Sequence, residues 1–134
     1  MRFKRMAAVV AASAALVIGG GVAAVATSVT IAGTVSSGGT IKYFDNQRNS
    51  TNNVTFRLTE GPQMTVGLVN CSNISNVTGT SDKTFKTSDT AAKSYGASSK
   101  GKCFRIKASR TVPADTNGIW PGSGTTDFRG TLVY

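Results

Sequence analysis

The sequence has no histidine, two cysteines, one tryptophan and six acidic residues among 134. Each scarcity removes a class of chemistry. Without histidine there is no imidazole base, no serine or cysteine triad built on one, and no histidine-ligated metal. Two cysteines cannot complete a four-cysteine zinc site or hold an iron–sulfur cluster unaided. The carboxylates Asp45, Glu60, Asp82, Asp89, Asp115 and Asp127 are the only raw material for a glycosidase pair. Nothing in their spacing places two of them on one face. No GxSxG, P-loop, HExxH or EF-hand loop occurs. Ser99-Lys100-Gly101-Lys102 fits the Ser-x-x-Lys pattern of serine acyltransferases, but it sits in a low-complexity stretch without companion motifs. The expectation is a protein with no catalytic residues, no metal and no cofactor. The length suits a single domain.

The chain opens as an export signal does. Arg2, Lys4 and Arg5 precede an apolar stretch from Met6 to Ile18. Gly19, Gly20 and Gly21 break that stretch, and Ala24-Val25-Ala26 forms a small-x-small cleavage site before Thr27. Met6 to Ala26 is uncharged and long enough to span a bilayer, so a membrane anchor is the rival reading. Its alanine and glycine content drives insertion weakly and favours cleavage. No lipid-acceptor cysteine follows, and Arg2 and Arg5 are not adjacent as a twin-arginine signal requires. Loss of residues 1–26 leaves no membrane span and lowers the net charge from +9 to +6, because that segment holds three basic residues and no acidic one.

In an oxidising compartment Cys71 and Cys103 are expected to pair. Period-2 alternation recurs through the remaining 108 residues, and no stretch repeats apolar residues at helical spacing. Strands are expected around Val29-Ile31-Val35, at Ile41 to Phe44, and over Val54-Phe56-Leu58. Others are expected over Met64-Val66-Leu68, at Cys103 to Ala108, and from Phe128 to Tyr134. Gly, Pro and Asn punctuate them, and abundant threonine suits exposed β faces. Six to eight short strands with one disulfide predict an all-β domain, a small antiparallel β-sandwich of immunoglobulin-like type. Residues 78–102 are rich in Ser, Thr, Gly, Lys and Ala, with Phe85 and Tyr95 as the sizeable apolar anchors. They read as a basic loop with one short strand near Phe85, a turn of helix near Ala91-Ala92, and otherwise mobile chain.

Three features are candidates for binding. Lys83, Lys86, Lys93, Lys100 and Lys102, extended by Arg105 and Lys107, concentrate positive charge and would suit an anionic partner. Ile119 and Trp120, in the turn-rich Asp115 to Gly122 stretch, would anchor a protein or sugar if exposed, or plug the end of the sandwich if not. The segment from Thr27 to about Val35 would offer an edge for β-augmentation if uncovered. Five Asn-x-Ser/Thr sequons, at Asn49, Asn53, Asn70, Asn73 and Asn76, are what an Asn/Ser/Thr-rich chain generates by chance.

The alanine-rich leader, the Cys103-Phe104-Arg105 strand start and the Phe128-Arg129-Gly130-Thr131-Leu132-Val133-Tyr134 ending resemble small secreted single-disulfide β-sandwich proteins of actinomycetes. Some small secreted actinomycete proteins are accessory subunits of umbrella-type toxin particles. The resemblance implies an extracellular binding role and assigns no functional residue. Actinomycete subtilisin inhibitors are similar in size but have two disulfides, where this chain can form one. The expected function is a secreted, non-enzymatic interaction module for a protein or anionic cell-envelope partner, a role that would suit a subunit of an extracellular assembly. Nucleic acid fits least, since stacking aromatics are sparse in the basic stretch. The alternatives are a stand-alone protease inhibitor or antibacterial toxin, and after these a carboxylate-based glycan hydrolase.

Overall fold

The computed structural model describes residues 25–111 and 124–134. The leader up to residue 24, and Ile119 and Trp120, lie outside the described residues.

The alternation seen in sequence becomes a two-layer sandwich. The strands are β1 (Ser28–Ser36), β2 (Lys42–Tyr43), β3 (Arg48–Asn49), β4 (Thr55–Glu60) and β5 (Met64–Asn70). They continue with β6 (Lys83–Phe85), β7 (Lys93–Ser94), β8 (Cys103–Arg110) and β9 (Thr125–Val133). One sheet runs β1-β9-β4-β7; the other runs β2-β8-β5-β6, with β3 continuing the line of β2 along β8. Every pairing is antiparallel.

The small antiparallel sandwich expected from sequence is therefore present. Its connectivity refines the immunoglobulin-like detail. With β2 and β3 taken as one interrupted strand, the eight strands among the described residues pass between the sheets in the order of a jelly roll. An immunoglobulin domain instead places its strands as ABED and CFG. The difference was hidden in sequence because alternation reports which face a residue occupies, not which strand lies beside it.

The core lies between the sheets. Ile31, Val35, Phe56, Leu58, Phe128 and Leu132 from the first sheet meet Met64, Val66, Leu68, Phe85, Phe104 and Ile106 from the second. Phe56 and Phe85 pack edge to face at 4.9 Å, and Phe44 and Phe128 do so at 5.8 Å. Gly130 lies opposite the Phe56 ring, and a side chain there would collide with it.

The 78–102 segment is more ordered than its composition suggests. Besides the expected strand at Phe85, it contributes β7 and a single 3₁₀ turn at Ala97–Ser99, whereas Ala91-Ala92 is not helical. Two buried groups explain the order. The Tyr95 hydroxyl donates to the Val66 carbonyl at 2.7 Å, which draws the chain across the core. Ser99 is fully buried, accepts the Val54 N–H at 2.8 Å and donates to the Gly96 carbonyl at 2.6 Å. One tyrosine and one serine thus anchor a stretch that is otherwise polar and small.

Candidate interaction surface

A jelly roll places its connections at two ends. At one end, Ser37 N–H donates to Gly124 O at 3.0 Å and Thr111 N–H to Gln63 O at 2.9 Å, joining the β1–β2, β4–β5 and β8–β9 connections. The connection after β6 belongs to this end too, because Phe85 pairs with Met64 at the start of β5. At the other end, Ser50 N–H donates to Lys102 O at 2.9 Å and Gly101 N–H to Ser50 O at 3.0 Å. The Ser50 hydroxyl, buried there, accepts the Lys102 N–H at 2.9 Å and donates to the Ser99 carbonyl. The Cys71–Cys103 disulfide, with Cα atoms 5.6 Å apart, closes this second end.

The seven basic candidates do not gather into one patch. Arg105 and Lys107 alternate outward on β8 and engage the chain's own groups there. The Arg105 guanidinium donates to Asn70 O at 3.3 Å and to Asn73 O at 2.9 Å. Lys107 pairs with Asp82 at 3.1 Å, in room kept open by Gly67, where any side chain would strike both partners. Lys93 pairs with Asp89 at 3.5 Å, donates to Thr84 O and lies 5.5 Å over the Phe85 ring. The Lys86 N–H donates to Asp89 at 3.1 Å and, with the Lys93 charge, holds the Asp89 carboxyl below its ordinary range. Lys83, Lys86, Lys100 and Lys102 have ammonium groups in no ion pair among the described residues. Of these, Lys100 and Lys102 stand exposed at the disulfide end, Lys86 lies toward the opposite end and Lys83 faces the middle of β5.

The disulfide end has a second feature that the sequence reading passed over. After Cys71 the chain folds back over β5: Val69 and Asn76 form an antiparallel bridge, and Val77 N–H donates to Leu68 O at 3.0 Å. Val69, bridged to Asn76 through the backbone, is completely buried. The Asn70 amide donates to Asn73 Oδ1 and Ser75 O, both at 3.2 Å, and Asn76 donates to Asp82 at 3.0 Å. Three of the sequon asparagines thus hold the loop together. With the disulfide and Arg105, almost every handle on the loop is fixed. Yet its apex residue Ile74 remains 62 % exposed, the most exposed large hydrophobic among the described residues. The one sequence cue was an isolated isoleucine within Asn73-Ile74-Ser75.

Elsewhere, an open depression of about 410 Å³ is lined by Ala32, Gly33, Thr34, Glu60, Asp127, Phe128 and Arg129. It brings Glu60 and Asp127 to one surface, which their spacing in sequence did not reveal. They converge because a register shift in β4 between Leu58 and Glu60 sets Glu60 opposite Arg129, two residues along β9 from Asp127. Among the described residues no three Cys, Asp or Glu side chains cluster as metal ligands, and no helix is long and apolar enough to cross a membrane.

No protein-family model, curated protein or solved structure matches the chain.

Proposed function

We propose that the mature chain is a secreted, non-enzymatic interaction module that binds an anionic protein or cell-envelope polymer at its disulfide end. The observation that carries this is a loop fixed by a disulfide, an arginine and two asparagine amides that nevertheless presents Ile74 to solvent. A surface whose ordering cost is already met in the free protein loses little entropy on binding. Lys100 and Lys102, exposed at the same end and outside any ion pair among the described residues, add attraction for an anion beside the apolar anchor. Arg105 and Lys107 support the loop and are not contact residues in this reading. A disulfide fits an extracellular site, and the leader provides the export route. Membership of a multi-subunit extracellular assembly is compatible with such a surface.

The test is co-sedimentation of the purified protein with isolated envelope fragments at low and high salt. Binding that weakens as salt rises, and weakens further in Ile74→Ser and in Lys100→Ser/Lys102→Ser, is the expected result. Equal binding by wild type and both variants would overturn the proposal.

The second reading, a glycan hydrolase, draws on Glu60 and Asp127 lining one depression with Arg129. Release of reducing sugar from a cell-wall glycan panel, abolished in both Glu60→Gln and Asp127→Asn, would favour it over the binding role.

A further inference from the structure

The edges of the two sheets are unequally protected. β2, β3 and β7 have two residues each and β6 has three, and each of the four carries a cation: Lys42, Arg48, Lys93 and Lys83. Short strands and charged side chains are the ordinary means of keeping a sheet edge from pairing with another chain. β1 has neither. It runs nine residues without charge, proline or bulge, in unbroken register with β9 from Ser28↔Val133 to Ser36↔Thr125.

Its hydrogen-bond phase shows what it presents. Thr27 and Tyr134 exchange both backbone bonds, at 2.7 and 2.9 Å, and Ser37 N–H donates to Gly124 O. The odd-numbered residues therefore face β9, while the backbone groups of Ser28, Thr30, Ala32, Thr34 and Ser36 turn to the edge, which no other strand covers among the described residues. Of these, the Ser36 carbonyl is taken by Gly39 N–H at 3.1 Å.

The sequence of this strand reads almost the same in both directions about Ala32. Ser28 mirrors Ser36, Val29 mirrors Val35 and Thr30 mirrors Thr34; the one mismatch is Ile31 against Gly33. That mismatch lies on the inner face, where the Phe44 and Phe128 rings would stand only 3.0 and 3.3 Å from a Cβ at position 33. Core packing thus accounts for the departure. The mirrored row on the open edge is complete.

We infer that β1 is the pairing edge for a second copy of this chain, joined antiparallel about a two-fold axis through Ala32. Each Thr30 then faces Thr34 of the other copy, and Ala32 faces Ala32. The three facing pairs exchange about six backbone hydrogen bonds, and threonine–threonine pairs are among the favourable cross-strand contacts. The two four-stranded sheets become one continuous sheet, and the symmetric contact closes on itself without building a fibre. Beside the strand, a lateral groove of about 130 Å³ lined by Thr30, Ile31, Ala32, Phe44, Asn46, Arg48 and Ile106 is closed over by the other copy. This inference is independent of the anion-binding proposal, which uses the disulfide end.

The test is the mass in solution of the protein purified after expression from its full sequence, followed against concentration. The expected mass is that of two chains. Ala32→Lys, at an exposed position, sets two ammonium groups face to face and reduces the mass to one chain at the same concentration. An equimolar mixture of Ala32→Lys with Ala32→Glu restores the double mass. Ala32→Cys crosslinks to its counterpart under mild oxidation while Thr30→Cys does not, because facing Cα atoms in such a pair lie about 5.5 Å apart. A single-chain mass at every concentration, or a double mass that survives Ala32→Lys, would overturn the inference. If Ala32→Lys does not fold, the crosslinking contrast decides. Envelope-fragment binding by folded Ala32→Lys separates the two ideas: pairing can be lost while binding persists.

Discussion

Single side chains hold the polar half of this chain in place. Tyr95 is the clearest case: its ring fills core volume next to Phe85 and its hydroxyl donates to Val66 O. Burial, reinforced by the negative charge of Asp82, raises its pKa far above the usual tyrosine value. An acid whose folded pKa is raised contributes stability that is intact below its unfolded pKa of about 10 and declines as pH rises past it, because the unfolded chain ionises first. Thermal stability is accordingly expected to fall from about pH 10 upward, and Tyr95→Phe to flatten that fall. At neutral pH the same variant is expected to lose about 0.5–1.5 kcal/mol, the net worth of one intramolecular hydrogen bond. Melting curves for both proteins across neutral and alkaline pH check the two parts together. Asp89 works in the opposite sense. Its lowered pKa supplies stability that is present above the ordinary carboxylate range and is lost as pH falls below it. Ser99→Ala orphans the buried Val54 N–H and is expected to cost about 1–3 kcal/mol in denaturant unfolding. The hydroxyl that completes a Ser-x-x-Lys pattern in sequence is thus a structural clamp in the fold.

Elements show where alternation was enough to read the chain and where it was not. β1, β4, β8 and β9 were legible because each buries one face and leaves the other largely polar, and β5 because Met64, Val66 and Leu68 alternate on its inner face. β3 and β7 were not legible, since two residues cannot establish a period and both exist only because a longer strand offers an edge. Gly130 makes a related point. In sequence it is one glycine in an alternating strand; in the fold its missing side chain admits the Phe56 ring. Gly130→Ala is expected to destabilise by about 1–3 kcal/mol through overpacking, as measured by chemical denaturation. The disulfide spans 32 residues and ties the start of β8 to the end of β5. Its removal by Cys71→Ser/Cys103→Ser is expected to cost about 3–4 kcal/mol and to loosen the loop carrying Ile74, which hydrogen exchange at residues 71–77 would report.

At the scale of the whole molecule, charge and edge have opposite dependences on salt. Binding of an anion at the disulfide end is expected to weaken with ionic strength. Pairing through β1 rests on backbone hydrogen bonds and uncharged side chains, so the double mass is expected to persist at a salt concentration that releases the envelope fragments. Sedimentation and mass measurements in the same salt series test both. The amino-acid sequence by itself determined the all-β class, the facing of each long strand, the cysteine pairing and the excess of positive charge. These are local or compositional properties, carried by period-2 patterning, by a cysteine count of two and by residue type. Only the tertiary structure decided the jelly-roll order, the dispersal of seven cations over different surfaces, the exposure of Ile74, the depression that Glu60 and Asp127 share, and the place of β1 at a sheet edge that no other strand covers among the described residues. Each depends on which strands become neighbours. Alternation along one strand carries no information about the strand beside it, so these features came into being only when the sheets closed over a shared core.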